Sequence, residues 1–118
     1  MCGITGFMGP LEAASEERLR GMTDAIVSRG ADDQGHWLGG GHGIALGHRR
    51  VGIVDLTPAG HQPMTSASQR YVVVFNGEIY NHLDLRKELE GRGAAPAWRG
   101  HSDTETLLAA IILHEISH

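Results

Sequence analysis

The sequence predicts a mixed α+β domain with one core, on three observations. Short runs of β-branched and aromatic residues, Tyr71-Val72-Val73-Val74-Phe75 above all, read as strands. Apolar residues at helical spacing follow helix-start signals at Glu16-Glu17 and at Ser102. The 17 glycines fall in small clusters such as Gly39-Gly40-Gly41, which suits tight turns between short elements. A chain of 118 residues supports a single core and no second domain.

Taken in order, Cys2 to Met8 sets Ile4, Phe7 and Met8 among small residues and reads as a short strand approached closely by other backbone. Glu16 to Ser28 reads as an amphipathic helix with Leu19, Met22 and Ile26 inward and Gly30 just past its end. Two strand-like runs, Ile44 to His48 and Val51 to Val54, meet at Arg49-Arg50. Thr57 to Pro63 carries the proline and glycine punctuation of a loop. The run 71–75 is expected to be buried on both faces because it does not alternate. It stops at the turn pair Asn76-Gly77. Asn81 with Asp84 starts a helix bearing Leu85 and Leu89, closed by Gly91 or Gly93. Ser102 with Glu105 is a capping box opening a helix that turns Leu107, Leu108, Ile111 and Ile112 inward.

Composition excludes several classes of function. The net charge of -4 and the scattered basic residues leave no footprint for nucleic acid. No apolar run reaches the roughly 20 residues of a membrane span, and no signal-peptide pattern opens the chain, so no membrane contact and a cytoplasmic location are expected. The single cysteine, Cys2, cannot form an internal disulfide and is either a reactive thiol or incidental.

Its position matters. Removal of an initiator methionine before a small side chain would leave Cys2 with both a thiol and the chain's α-amine. An α-amine titrates near 7.7 to 8.0, so at neutral pH an appreciable fraction can accept the thiol proton. Further motifs follow: Arg29-Gly30-Ala31-Asp32-Asp33, Gly47-His48-Arg49-Arg50-Val51-Gly52-Ile53-Val54-Asp55, Gly60-His61-Gln62-Pro63-Met64, Phe75-Asn76-Gly77-Glu78-Ile79-Tyr80-Asn81 and Ser102-Asp103-Thr104-Glu105. With Cys2-Gly3-Ile4-Thr5-Gly6, this ordered set resembles the class II glutamine amidotransferase domain of glutamine-hydrolysing asparagine synthetases, one of the N-terminal nucleophile hydrolases. The resemblance covers residues 2 to about 113. It departs at Ala31, where proline is common, and at Val51-Gly52, where leucine-serine is usual.

The resemblance implies a four-layer α/β/β/α sandwich of antiparallel sheets, incomplete here because the family's domain continues further, so that residues 1–118 would be its N-terminal part. It implies that Cys2 attacks the side-chain amide of L-glutamine. Arg50 would bind the substrate's α-carboxylate and Asp103 its α-ammonium. Asn76 and the Gly77 N–H would form the oxyanion hole, and Ile53, Val54 and Glu78 would complete the pocket. The chemistry fits the residue types: a guanidinium fork suits a carboxylate, and glycine lets a backbone donor turn into a site. It also implies that the ammonia released reaches a synthetase domain, in cis or in trans, where ATP and magnesium activate aspartate. No cofactor is expected in this domain itself, and a homo-oligomer is compatible with it. Each residue also has a plainer reading: Arg50 a solvated cation, Asn76-Gly77 a turn, Asp103 a first-turn helix charge, Cys2 a small buried residue. Their order along one chain weighs against that.

A rival from another class ends the chain. His114-Glu115-Ile116-Ser117-His118 fits H-E-x-x-H, the two-histidine zinc pattern of metallohydrolases. His118 is the last residue and no third ligand follows, so metal binding is not expected. A non-catalytic remnant that keeps the motifs without the fold is the remaining alternative. The other histidines, His36, His42, His48, His61, His82 and His101, show no ligand spacing.

Overall fold

A computed structural model describes residues 2–29, 33–50 and 58–116. Strands β1 (Gly3–Met8), β2 (Asp33–Gly39) and β3 (Ile44–Arg50) form an antiparallel sheet in the order β1-β3-β2, and helix α1 (Ser15–Ala25) joins β1 to β2. A four-residue turn links β2 to β3. Both His42 and Gly43 donate their N–H to the Gly39 carbonyl, and Gly43 takes φ +65°, a conformation open to glycine at no steric cost.

The alternation along β3 divides the sheet into two faces. Ala45, Gly47 and Arg49 meet α1, whereas Leu46, His48 and Arg50 face the other way. Phe7 of β1, paired with Ala45, confirms the first face by stacking under Arg18 of α1 at 4.5 Å. The stripe that α1 buries is Ser15, Leu19 and Thr23, four residues apart: Leu19 is buried as expected, whereas Met22 and Ile26 are only half-buried. The reason lies opposite. A Cβ on Gly47 would come within 2.4 Å of Thr23 Oγ1, so the helix rests directly on backbone there and only a small residue fits. The Thr23 hydroxyl, fully buried, is satisfied by donating to the Leu19 carbonyl at 2.9 Å. Burying Leu19 contributes about 1.5–3 kcal/mol.

The second half begins with β4 (Met64–Thr65) and β5 (Val72–Val73), a two-stranded antiparallel pair. The run 71–75 is therefore not the doubly buried strand its composition predicts: all five residues are half-buried, and among the described residues Val72 and Val73 are the ones that pair. At Phe75 the backbone is satisfied by side chains instead, with Phe75 N–H donating to Gln62 Oε1 at 2.7 Å and its carbonyl facing His48 Nε2 at 3.3 Å.

Helices α2 (His82–Gly91) and α3 (Asp103–Ile116) follow. Gly93 closes α2 at φ +67°. Its N–H reaches the Glu90 carbonyl and that of Ala94 the Leu89 carbonyl, the paired bonds of a Schellman stop. The capping box on α3 forms in altered shape. Ser102 Oγ accepts from Thr104 N–H at 3.1 Å, while the Glu105 carboxylate reaches back to the N–H groups of Arg99 and Gly100. Leu89, Leu108 and Ala109 are buried, but Ile111, expected inward, is exposed. Between the helices lies Arg86, 6% exposed. It donates to Thr106 Oγ1, the Gly100 carbonyl and the Ser102 carbonyl at 2.7–2.8 Å and stacks on the Trp98 ring at 4.1 Å. The described residues are thus α+β with antiparallel sheets, and among them no helix is long and apolar enough to cross a membrane.

Candidate active site

The end of the three-stranded sheet gathers the first group of expected site residues. Gly3 pairs with Arg49 across β1 and β3, and Asp33 pairs with Arg50 across β2 and β3. Continuing the first register by one residue sets Cys2 opposite Arg50, with Asp33 on the other flank. Cys2 is a half-buried free thiol.

The two adjacent arginines do different work because successive residues of a strand point to opposite faces. Arg49 turns to α1, where Nε donates to the Thr23 carbonyl at 2.9 Å and Nη2 to Asp24 at 2.8 Å, a cation placed on the last turn of a helix. Arg50 turns to the other face, 6% exposed, and its Nε donates to Asp33 Oδ2 at 3.1 Å. It is therefore a buried, directed cation and not a solvated one. Burial pushes the Asp33 carboxyl up, but the hydrogen bond from His61 and the positive charges of His61 and Arg50 outweigh it and hold the group below the usual carboxylate value.

On the same face as Arg50 sits His48, 1% exposed. Its Nε2 faces the Phe75 carbonyl, which only accepts, so the proton in this contact is on Nε2. Burial pushes the His48 pKa down, and the nearby Arg50 charge adds to this; the imidazole is neutral at pH 7. Gln62 completes the frame. Its Nε2 donates to Thr104 Oγ1 at 3.0 Å while its Oε1 accepts from Phe75 N–H, linking the 58–64 loop to both the 75–79 segment and α3. Gly35, paired with His48, makes room for that loop: a Cβ there would lie 1.8 Å from the Gln62 carbonyl oxygen.

Segment 75–79 is consequently held at both ends. Phe75 is fixed by Gln62 and His48, and Ile79 N–H donates to Asp103 Oδ2 at 2.9 Å. Between these anchors Asn76, Gly77 and Glu78 are exposed. Asp103 is 8% exposed in the first turn of α3, where a carboxylate is favoured by the helix dipole. Hydrogen bonds thus tie His48 and Gln62 to Phe75 on one side of the 76–78 turn, and Ile79 to Asp103 on the other. Ile53 and Val54 lie outside the described residues. His114 is exposed on α3 and His118 is likewise outside; among the described residues no group of three or more His, Cys, Asp or Glu side chains is placed for a metal ion.

Sequence reasoning gave no role to Asp33, His48, His61 or Gln62. All four lie within the quoted motifs, which was the available signal, but their partners are 13 to 42 residues away.

Comparison with known proteins bears on what this arrangement serves. Residues 1–115 match the glutamine amidotransferase domain family. The chain is 41% identical over 116 residues to glutamine-hydrolysing asparagine synthetase 3 of Bacillus subtilis, covering 95% of this chain and 18% of that protein. Asparagine synthetase 1 of the same organism is 40% identical over 113 residues, covering 92% and 17%. A putative asparagine synthetase of Mycobacterium bovis is 37% identical over 124 residues, covering 92% and 19%. The chain spans less than a fifth of the length of these relatives. No solved structure matches. The chain belongs to the glutamine amidotransferase domain family, and within it to relatives of the glutaminase region of asparagine synthetases.

Proposed function

We propose that the chain is the glutaminase half of an asparagine synthetase, with Cys2 as its N-terminal nucleophile after loss of Met1. The observation that supports this reading is the buried Arg50, one residue beyond the Gly3–Arg49 pair that ends the register of β1 and β3, so that continuing the register brings Cys2 beside it. Arg50 and Asp103 are the groups for the two ends of the glutamine backbone, a cation and an anion whose donor and acceptor sets suit a carboxylate and an ammonium. Asn76 and Gly77 supply the oxyanion donors, and the resemblance assigns Glu78, Ile53 and Val54 to glutamine binding. Contacts that run from α1 through the three-stranded sheet to the 61–75 segment and on to α3 favour the four-layer arrangement.

In this mechanism the α-amine of Cys2 takes the thiol proton and sulfur attacks the carboxamide carbon. The tetrahedral oxyanion is met by the Asn76 amide and the Gly77 N–H. The C–N bond then breaks, and the α-ammonium returns its proton to the departing ammonia. Water, deprotonated by the same amine, hydrolyses the thioester and releases glutamate. The ammonia passes to a synthetase domain, in cis or in trans, where ATP and magnesium activate aspartate.

The test is the free amine. Retaining Met1 through an N-terminal tag converts the amine to an amide without a basic lone pair while leaving the thiol intact. Glutaminase activity is expected to fall about 10²- to 10⁴-fold, the range supplied by a general base. A glutamine-like electrophile should label Cys2 in the processed chain only, read by mass spectrometry of the N-terminal peptide. Full activity with Met1 retained would refute the assignment.

A further inference from the structure

Asp33 is fixed at both of its oxygens. Oδ1 accepts from the Gln34 N–H at 2.9 Å, and Oδ2 takes two donors, Arg50 Nε at 3.1 Å and His61 Nδ1 at 2.7 Å. Because the carboxylate stays ionised well below neutral pH it only accepts, so His61 Nδ1 carries the proton in this contact. A carboxylate held by three donors across both oxygens is confined in rotamer, and a guanidinium tied to it by Nε has its plane restricted as well. The partner that aims Asp33 is itself positioned by backbone: His61 precedes Gln62, whose carbonyl lies over Gly35, and Gly35 is on the same face of β2 as Asp33.

The exposures give the direction of the effect. Arg50 is buried, with its side chain 7% exposed, while those of Asp33 and His61 are 30% and 41% exposed. The ion pair thus lies with its cation inward and its anion toward solvent. Arg49 shows what a purely structural arginine looks like in this sheet: its partners are a helix carbonyl and a helix carboxylate on the opposite face.

We infer that Asp33 and His61 form a positioning pair that orients Arg50 for the α-carboxylate of the amino-acid substrate. Neither touches the substrate. By engaging the guanidinium at Nε, Asp33 sets the plane in which Arg50 would meet the substrate's carboxylate. His61 holds Asp33 in place. The pair therefore sets selectivity for a substrate with an intact α-carboxylate. This inference rests on the glutaminase reading, and the test separates the two.

Glutaminase kinetics on L-glutamine and on its α-carboxamide analogue, for the processed chain and for Arg50→Ala, Asp33→Asn, His61→Ala and His61→Asn, provide the measurement. Asp33→Asn keeps an oxygen that accepts from Nε but removes the charge. It is expected to raise KM for L-glutamine roughly five- to twentyfold with kcat within about twofold. KM for the α-carboxamide analogue, which has no α-carboxylate to align, should stay within about twofold. A loss that arises only from general destabilisation moves both substrates together. His61→Ala should act in the same direction, and His61→Asn, whose amide N–H stands near the place of Nδ1, should restore most of it. Equal effects on the two substrates, or an unchanged or lowered KM for L-glutamine in Asp33→Asn while Arg50→Ala raises it, would overturn the positioning pair alone. If Arg50→Ala leaves KM for L-glutamine unchanged, the glutamine-binding reading falls, and the positioning pair with it.

Discussion

Gly35→Ala is the most informative single change to the frame, because one methyl group meets the backbone of the loop that links β2, β3, segment 75–79 and α3. The added Cβ would stand 1.8 Å from the Gln62 carbonyl oxygen and 2.6 Å from His61 Nε2, where side chains keep at least 3.0 Å. The imidazole can swing aside, but the carbonyl belongs to the main chain. The 61–62 backbone or β2 must therefore shift by more than an ångström. Three contacts depend on that backbone: His61 to Asp33, Gln62 to Thr104 and Phe75 N–H to Gln62. Each bond is worth about 1 kcal/mol, and a donor left unsatisfied where it is buried, as between Gln62 and Thr104, costs about 1–3 kcal/mol more. A loss of roughly 3–5 kcal/mol is expected, in the range diagnostic of a broken buried network. Equilibrium urea denaturation measures it, with Gly40→Ala as the control: a Cβ there meets nothing within 4 Å, so its stability should stay within about 0.5 kcal/mol. A Gly35→Ala loss below about 1 kcal/mol would show that the loop does not depend on this close approach.

Steady-state kinetics should separate the proposed binding groups from the chemical one. Arg50→Ala and Asp103→Ala are expected chiefly to raise KM for glutamine, whereas Asn76→Ala should lower kcat about 10²- to 10³-fold, as removal of an oxyanion donor does. Stability should fall on mild acidification. His48, held below 6.5 chiefly by burial, is neutral in the fold, so as pH drops below 6.5 the unfolded chain takes up the proton first; His36, also lowered by burial, acts in the same window. Asp33 has the opposite profile. Its contribution is complete above 3.8 and is lost only as pH falls through its lower folded value, so it adds no slope between pH 7.5 and 5.5. The urea midpoint should therefore drop between those two pH values, and drop less in His48→Gln; an equal drop in both would remove His48 as a cause. Zinc content after dialysis should be negligible, and stoichiometric zinc lost in His114→Ala would contradict this.

Local signals in the sequence were read where local physics decides. The strand Gly3–Met8, the β2 to β3 turn at the glycine cluster and the glycine stop of α2 all follow from residues within a few positions of one another. Contacts across the fold were not legible in the same way. The helical period of α1 named Met22 and Ile26, yet the buried stripe runs through Ser15 and Thr23, because Gly47 on another strand sets how close the helix comes. Tyr71 to Phe75 has the composition of a central strand, yet among the described residues its partner strand is two residues long and the side chains of Gln62 and His48 take over at Phe75. At the site, the roles proposed for Cys2, Arg50, Asn76 and Asp103 come from the resemblance carried by the ordered motifs. The different duties of Arg49 and Arg50 depended on the face each residue occupies, and the partnership of Asp33 with His61 depended on a loop 28 residues away.

Arg86 has a consequence for how the molecule opens. Its three donors tie α2 to the carbonyls of Gly100 and Ser102 and to the first turn of α3, and Trp98 covers its guanidinium. A loop as short as 98–102 would ordinarily fluctuate by itself, at small free energy. Fastened to a buried cation on a neighbouring helix, it unfolds only when α2 lets go. The Ile79 N–H held by Asp103 is therefore expected to exchange with solvent together with α2, so that the side of the site proposed for the substrate's ammonium opens no more readily than a helix, although a loop leads into it.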